Sequence, residues 1–310
     1  MKGLIMRSTG SWYDVRNDVG TLIKCRLRGK FKLQIDEKKV TNPLAVGDNV
    51  VWEWEDKNEN IGIITEIVPR QNYIIRKSVH KTSHSHILAS NVDRVIIIAT
   101  LSFPRTSLGF IDRLLLTAQS FEIPATIVFN KVDLFESEQG KETLDALREI
   151  YEPLGYGVLF TSNVTGEGIK AFEDLLKGNV SLLAGHSGVG KSTLVNSIAP
   201  QLTLRTKEVS SFANKGVHTT TFAEMFEISE NTFIIDSPGI KELGLVEIAK
   251  EEVYHYFPEM TKRFGTCKFY NCLHLNEPNC AIITAVEQGE IAPSRYMSYI
   301  SMVEDNDNRR

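Results

Sequence analysis

The residues best able to do chemistry lie in a glycine-rich run, Gly185-His186-Ser187-Gly188-Val189-Gly190-Lys191-Ser192-Thr193. It follows an apolar stretch, Val180 to Ala184, and precedes the periodic apolar residues Leu194, Val195 and Ile198. That order predicts a strand, a phosphate-binding loop and a helix. Glycines let successive backbone N–H groups turn toward phosphate oxygens, and the helix N-terminus adds a favourable dipole. Lys191 is then placed for the β- and γ-phosphates, and the Ser192 hydroxyl for Mg²⁺. A phosphate loop does not choose a base. Asn130-Lys131-Val132-Asp133, at the end of the apolar stretch Ala125 to Phe129, can. A carboxylate at Asp133 accepts from both guanine N1–H and the exocyclic amine, whereas adenine offers an acceptor at N1 and no amine beside it. Asn130 can orient the base and the Lys131 stem can cover its face. The expected ligands are GTP and GDP.

Three further segments complete this reading. Thr161-Ser162-Asn163 follows the strand candidate Val158 to Thr161 and is a candidate for backbone contact with the guanine oxygen; a simple strand-end turn is the alternative. Asp236-Ser237-Pro238-Gly239 ends another apolar strand, so that Asp236 would hold Mg²⁺ through water and the Gly239 N–H would sense the γ-phosphate. Between these motifs lies Gly216-Val217-His218-Thr219-Thr220-Thr221, in which Thr220 is the favoured second hydroxyl ligand for Mg²⁺. Ile240 stands where many GTPases place a water-orienting Gln, so intrinsic hydrolysis should be slow. His218 is the nearest candidate for the missing catalytic group, with ordering of its loop as the alternative.

The order of the motifs is reversed relative to most GTPases: the base-reading motif precedes the phosphate loop. This implies a circularly permuted P-loop GTPase domain, with attachments at both ends. Around it the chain changes character twice. Residues 1–72 read as a small β-barrel, residues 73–91 as a polar His/Ser-rich connector, residues 92–246 as an α/β domain and residues 247–310 as a mainly helical domain. Val92 to Thr100 is an apolar run suited to a strand buried on both faces. Ile111, Leu114, Leu115, Ala118 and Phe121 follow at helical spacing. Ala223 to Ile228 and Thr232 to Asp236 add further strands, and helical stretches between most strands predict a mainly parallel sheet.

Both attachments carry chemistry of their own. Lys24, Arg26, Arg28, Lys30 and Lys32 alternate with apolar residues, giving a strand with one basic face. Residues 20–40 hold seven Lys/Arg against two Asp/Glu, a local charge of +5 in a chain of net charge -4. Such a stripe can follow a phosphate backbone, although a solvated face is the plain alternative. Trp12 and Tyr13 read as core residues rather than base stackers, and Cys25 as a core residue. At the other end Cys267, Cys272, His274 and Cys280 form a C-x4-C-x-H-x5-C cluster. Three thiolates and an imidazole suit tetrahedral Zn²⁺ with no open position, a structural site. His255 is a weaker alternative ligand, and His80, His84 and His86 read as part of the connector. No apolar run approaches the ~20 residues of a membrane span, and no signal-peptide pattern opens the chain, so a cytoplasmic location is the default.

Taken together, these residues resemble the RsgA family of circularly permuted GTPases, also called YjeQ or YloQ. The resemblance rests on Arg28-Gly29-Lys30, Val46-Gly47-Asp48, the permuted motif order, the Gly216 to Thr221 loop and the Cys/His cluster, and covers nearly the whole chain. It implies an OB-fold for the N-terminal barrel, a GTPase core and a zinc-binding C-terminal domain. It also implies that the chain, as a monomer, binds the small ribosomal subunit and its rRNA late in assembly, and that the subunit stimulates GTP hydrolysis. Val217 departs from the basic residue frequent there in the family, and Thr161-Ser162-Asn163 from a more usual Ser-Ala. A regulatory GTPase acting on protein partners is the rival reading.

Overall fold

A computed structural model of the chain describes residues 1–28, 43–77, 85–202, 223–236 and 248–304. Five strands open it: β1 (Lys2–Ser8), β2 (Tyr13–Asn17), β3 (Leu22–Leu27), β4 (Asn49–Asp56) and β5 (Ile61–Ile67). They pair in the order β1-β2-β3-β5-β4, and β1 also pairs with β4, which closes the barrel. The β3–β5 ladder is parallel and the others antiparallel. Alternation explains the closure: Ile5, Val15, Ile23, Cys25, Val50, Trp52 and Ile64 point into one buried core while their neighbours face outward. Tyr13 joins that core, and burial pushes the Cys25 thiol up to about 12.

Residues 73–91, read from sequence as a connector, contain a two-stranded antiparallel ladder, β6 (Tyr73–Lys77) with β7 (Ser85–Ser90). Asp48 fixes the chain below it. The Asp48 carboxylate is fully buried, accepts from Arg70 at 2.7 and 2.8 Å, and accepts from the Ser90 hydroxyl at 2.6 Å.

The chain falls into two compact units. The first joins the described residues of 1–96, which include the barrel and the β6–β7 ladder, with residues 169–184, 191–202 and 223–236. Here β11 (Val180–Ala184) pairs in parallel with β13 (Thr232–Asp236), and β12 (Glu224–Ser229) pairs antiparallel with β13. A bridge between Arg7 and Glu224 continues this sheet into β1 of the barrel. Arg16 fastens the same junction with a bidentate pair to Glu227, at 2.8 and 2.7 Å, and lies over the Phe233 ring.

In the second unit β9 (Ala125–Asn130) and β10 (Gly157–Thr161) form a parallel ladder, and β9 is also paired with β8 (Arg94–Ala99), whose last residues belong to this unit. The helix Leu108–Ser120 starts at a Ser107 cap whose hydroxyl accepts from the Phe110 N–H. Its Leu116 packs into a core with Val253, Phe257, Met260, Ile282, Tyr299 and Met302. A buried ion network holds the same helix to the C-terminal segment. Arg295, from the helix Pro293–Val303, donates to Asp112 at 2.7 Å and to Glu259 at 2.7 Å, and Tyr151 donates to Asp112 at 2.9 Å. Burial pushes the Asp112 carboxyl up and Arg295 pulls it back. Burial also opposes charge on Arg295, but the two carboxylates more than offset it and hold the guanidinium above its usual range.

Candidate nucleotide and metal sites

The parallel ladder of β9 and β10 sets the base-reading motif. Its register places Thr161 directly opposite Asn130. The Thr161 hydroxyl donates to Asn130 Oδ1 at 3.0 Å, which leaves Asn130 Nδ2 to donate to the Val189 carbonyl of the glycine-rich loop at 2.9 Å. Lys131 sits in the left-handed region, φ 64°, and turns the chain into a short 3-10 helix, Val132–Phe135. Its ammonium donates to the Gly188 carbonyl at 2.9 Å and to the Phe103 carbonyl at 2.7 Å. Two residues of the motif therefore grip the phosphate loop directly, across 59 and 57 positions of chain.

Asp133 is held from the other side. The Ser162 hydroxyl donates to Asp133 Oδ1 at 2.5 Å, and accepts from the Val164 and Thr165 N–H groups at 3.1 and 3.2 Å. From sequence, Thr161-Ser162-Asn163 is a candidate for backbone contact with the guanine oxygen or a simple strand-end turn. In the fold both hydroxyls are buried and act through their side chains, on Asn130 and Asp133 respectively. The available signal was two hydroxyl residues ending the strand that neighbours the motif.

The loop itself needs its glycines. Gly190 has φ +95°, and a Cβ there would overlap the Asn130 amide nitrogen; Gly185 has φ +146° and lies against the Ile98 carbonyl. His186 stacks on Phe110 with ring centroids 3.9 Å apart, Val189 is buried, and Ser187 and Gly188 are exposed. In the first unit Lys191 and Ser192 begin the helix Lys191–Ile198, followed by the exposed Thr193. Lys191, Ser192 and Asp236 line one small depression with Leu183, Val195, Phe226 and Ile234. Burial pushes the Asp236 carboxyl up, and the Lys191 ammonium lowers it. A hydroxyl and a carboxylate on an apolar wall are hard oxygen donors of the kind Mg²⁺ takes. His218, Thr220 and Gly239, with Ser237, Pro238 and Ile240, lie outside the described residues.

Cys267, Cys272, His274 and Cys280 come together, with one ligand atom from each inside a 4.8 Å span. Cys267 Sγ lies 3.5 Å from His274 Nδ1 and 3.9 Å from Cys280 Sγ, and His274 Nδ1 lies 3.4 Å from Cys280 Sγ. A tetrahedron with Zn–S of about 2.3 Å and Zn–N of about 2.0 Å has edges of roughly 3.5 to 3.8 Å. The donor set, and the spacing of Cys267, His274 and Cys280 within it, therefore fit such an ion, with Cys272 the fourth donor inside the same 4.8 Å span. The backbone is shaped for it: His274 has φ 56°, and Glu277 accepts from the Leu273, Leu275 and Asn276 N–H groups at 2.7, 2.8 and 3.1 Å, closing the loop that carries the histidine. His255 is exposed and outside the cluster.

The basic strand looks different in three dimensions. Arg26 is paired with Glu55, and Arg28 lies 3.8 Å from Glu53, so two of its cations have acidic partners that the sequence spacing did not reveal. Lys24 lies over the Trp12 ring at 5.3 Å and has no acidic partner among the described residues. Lys30 and Lys32 lie outside those residues.

Two family models match, RsgA N-terminal domain over residues 2–64 and RsgA GTPase over residues 67–246. The chain belongs to the RsgA GTPase family. Among its relatives, the small ribosomal subunit biogenesis GTPase RsgA of Cytophaga hutchinsonii is 50% identical over 310 residues, 100% of both chains. The RsgA of Bacteroides fragilis is 46% identical over 307 residues, covering 99% of this chain and 97% of the relative. The crystal structure of YjeQ from Thermotoga maritima aligns with a TM-score of 0.77 at 34% identity, over 100% and 99% of the two chains. That of YloQ, a circularly permuted GTPase, gives 0.73 at 27%, over 100% and 96%. The permuted GTPase core and the N-terminal OB-fold barrel of this RsgA family member thus stand on both fold and sequence. No described helix is long and apolar enough to cross a membrane.

Proposed function

We propose that this chain hydrolyses GTP as a late assembly factor of the small ribosomal subunit, in the cytoplasm, and that the subunit switches the hydrolysis on. The observation that carries the nucleotide half of this reading is the grip of Asn130 and Lys131 on the Val189 and Gly188 carbonyls. The base-reading motif and the loop Gly185–Gly190 are thereby tied together within one unit, and docking of guanine on Asp133 steadies that loop. Asp133, fixed by Ser162, accepts two donors from guanine. Lys191 places positive charge at the β- and γ-phosphates, Ser192 and Thr220 offer hydroxyls to the Mg²⁺ that travels with the nucleotide, and Asp236 orients that ion's water. Magnesium would supply charge neutralisation between the phosphates. Gly239 and His218 would complete the site on the γ-phosphate side.

The ribosomal half is supported by relatives of near-complete coverage that bear the name small ribosomal subunit biogenesis GTPase. The Cys/His cluster is proposed to hold one structural Zn²⁺. Adding purified small subunits to the pure protein tests the whole reading. GTP turnover should rise well above its basal rate; turnover that stays basal across a range of subunit concentrations overturns it.

A further inference from the structure

Among the described residues five Phe or Tyr side chains are exposed, and three of them fall within seven positions: Phe264 at 64%, Phe269 at 40% and Tyr270 at 107% of full exposure. Apolar rings concentrated on a surface in this way mark a binding face. The rings line one groove of about 640 Å³ together with Tyr254, His255 and Lys268, within the range of sites that hold small planar ligands, roughly 300–1,000 Å³.

The face is built rather than loose. Lys268-Phe269-Tyr270-Asn271 is looped out between Cys267 and Cys272, two members of the metal-capable cluster. The Cys272 N–H closes this knuckle onto the Phe269 carbonyl at 3.3 Å. The Phe264 and Thr266 N–H groups are tied to Thr261 and Arg263 carbonyls at 3.1 and 3.2 Å. Tyr254 and Phe264 are within 12° of parallel, and His255 lies beside both, at 4.1 and 5.6 Å between centroids. Flat rings held in fixed orientation lose little entropy when a planar partner stacks on them.

Charge selects the class of planar partner. Residues 260–276 carry Lys262, Arg263 and Lys268 and no Asp or Glu, within a chain of net charge -4. Arg263 is consumed by Glu290, and Glu251 is the one carboxylate lining the groove. Lys262 and Lys268 have no acidic partner among the described residues; Lys268 lines the groove and stands 5.5 Å above the Phe269 ring, whereas Lys262 lies on a neighbouring depression that shares His255. Stacking rings beside the uncommitted Lys268 ammonium suit an unpaired nucleotide, its base on a ring and its phosphate on the lysine. An acidic or purely apolar peptide would use one half of this chemistry and leave the other unmatched.

We infer that the Phe264–Tyr270 face is a stacking platform for unpaired bases of single-stranded RNA. The inference rests on the proposed action on an RNA particle and adds where, and to what kind of RNA, the C-terminal segment binds. The test uses the full chain and a labelled single-stranded RNA of about ten nucleotides containing 4-thiouridine. Phe264→Ala and Tyr270→Ala should each weaken binding roughly 5- to 150-fold, the range for losing one base–ring stack. Tyr270→Phe should keep wild-type affinity, and irradiation should crosslink the RNA to a peptide containing residues 264–270. Unchanged affinity in both alanine variants, crosslinks confined to the barrel, or equal competition by a fully paired duplex would overturn the platform. So would a protein-only ribosomal fraction whose binding is lost in the same variants while RNA affinity is kept. Subunit-stimulated turnover of the unaltered chain is measured in parallel. If it is present and RNA affinity does not move, only the platform falls; if it is absent, the assembly-factor reading falls by itself.

Discussion

At the scale of single residues, the nucleotide site depends on how few atoms fix Asp133 and Asn130. Asp133→Asn leaves one acceptor where guanine presents two donors, and adds a donor facing another donor. Losing a charge-assisted pair costs about 1.5–3 kcal/mol, so GTP affinity should fall roughly 10- to 150-fold and the preference over ATP should shrink with it. Competition binding with both nucleotides measures this, and undiminished discrimination against ATP would remove Asp133 from the site. Ser162→Ala removes the hydrogen bond to the Asp133 carboxylate and the acceptor for the Val164 and Thr165 N–H groups, but it keeps both carboxylate oxygens, so GTP affinity should drop by less than in Asp133→Asn and discrimination against ATP should persist. Titrating the two variants with GTP and GDP separates those outcomes. Gly190→Ala is more severe than either, because its Cβ would displace the Asn130 amide that reaches Val189. The types and spacing of these residues were legible in the sequence. The pairing of Thr161 with Asn130 and of Ser162 with Asp133 was not, since both depend on a strand register that only the fold sets.

At the scale of elements, the C-terminal segment is held by two devices that respond to different insults. Arg295 lies between Asp112 and Glu259, all three buried. Arg295→Met would strand both carboxylates, and breaking a buried pair costs about 3–5 kcal/mol. A thermal midpoint about 6–20 °C lower follows for a unit of this size, read by calorimetry. Replacing Asp112, Glu259 and Arg295 together with apolar residues should recover most of that loss, because no charge is then left unpaired. The second device is the Cys/His cluster. A strong chelator should release one zinc per chain and make Cys267, Cys272 and Cys280 reactive toward a thiol reagent. Cys25 should stay unreactive until the barrel unfolds, since it is buried and its thiol is pushed up to about 12. Four thiols reacting at once, or none, would contradict that division. The strands and helices of the α/β region were readable because long apolar runs and 3.6-residue spacing are strong signals. The ladder between Tyr73–Lys77 and Ser85–Ser90 was not. Its His and Ser residues mask the alternation, and its pairing is a matter of contact rather than composition.

At the scale of the whole molecule, a chain of net charge -4 must meet a polyanion through local cations. The barrel shows which of those are uncommitted. Arg26 is already neutralised by Glu55 and Arg28 lies near Glu53, whereas Lys24 faces outward over Trp12 without an acidic partner among the described residues. Each cation that contacts a phosphate lowers the slope of log affinity against log salt by about 0.7–0.9. Lys24→Gln should therefore flatten the salt dependence of RNA binding by nearly one unit, with weaker binding at low salt. Arg26→Gln should change the slope far less, since an arginine held by Glu55 releases no counterion from the nucleic acid until that pair opens. Binding curves at several salt concentrations decide it. Equal changes for the two variants would mean that RNA displaces Glu55 from Arg26, and that the basic face acts as the continuous stripe its sequence suggests rather than as the partly neutralised surface of the folded barrel.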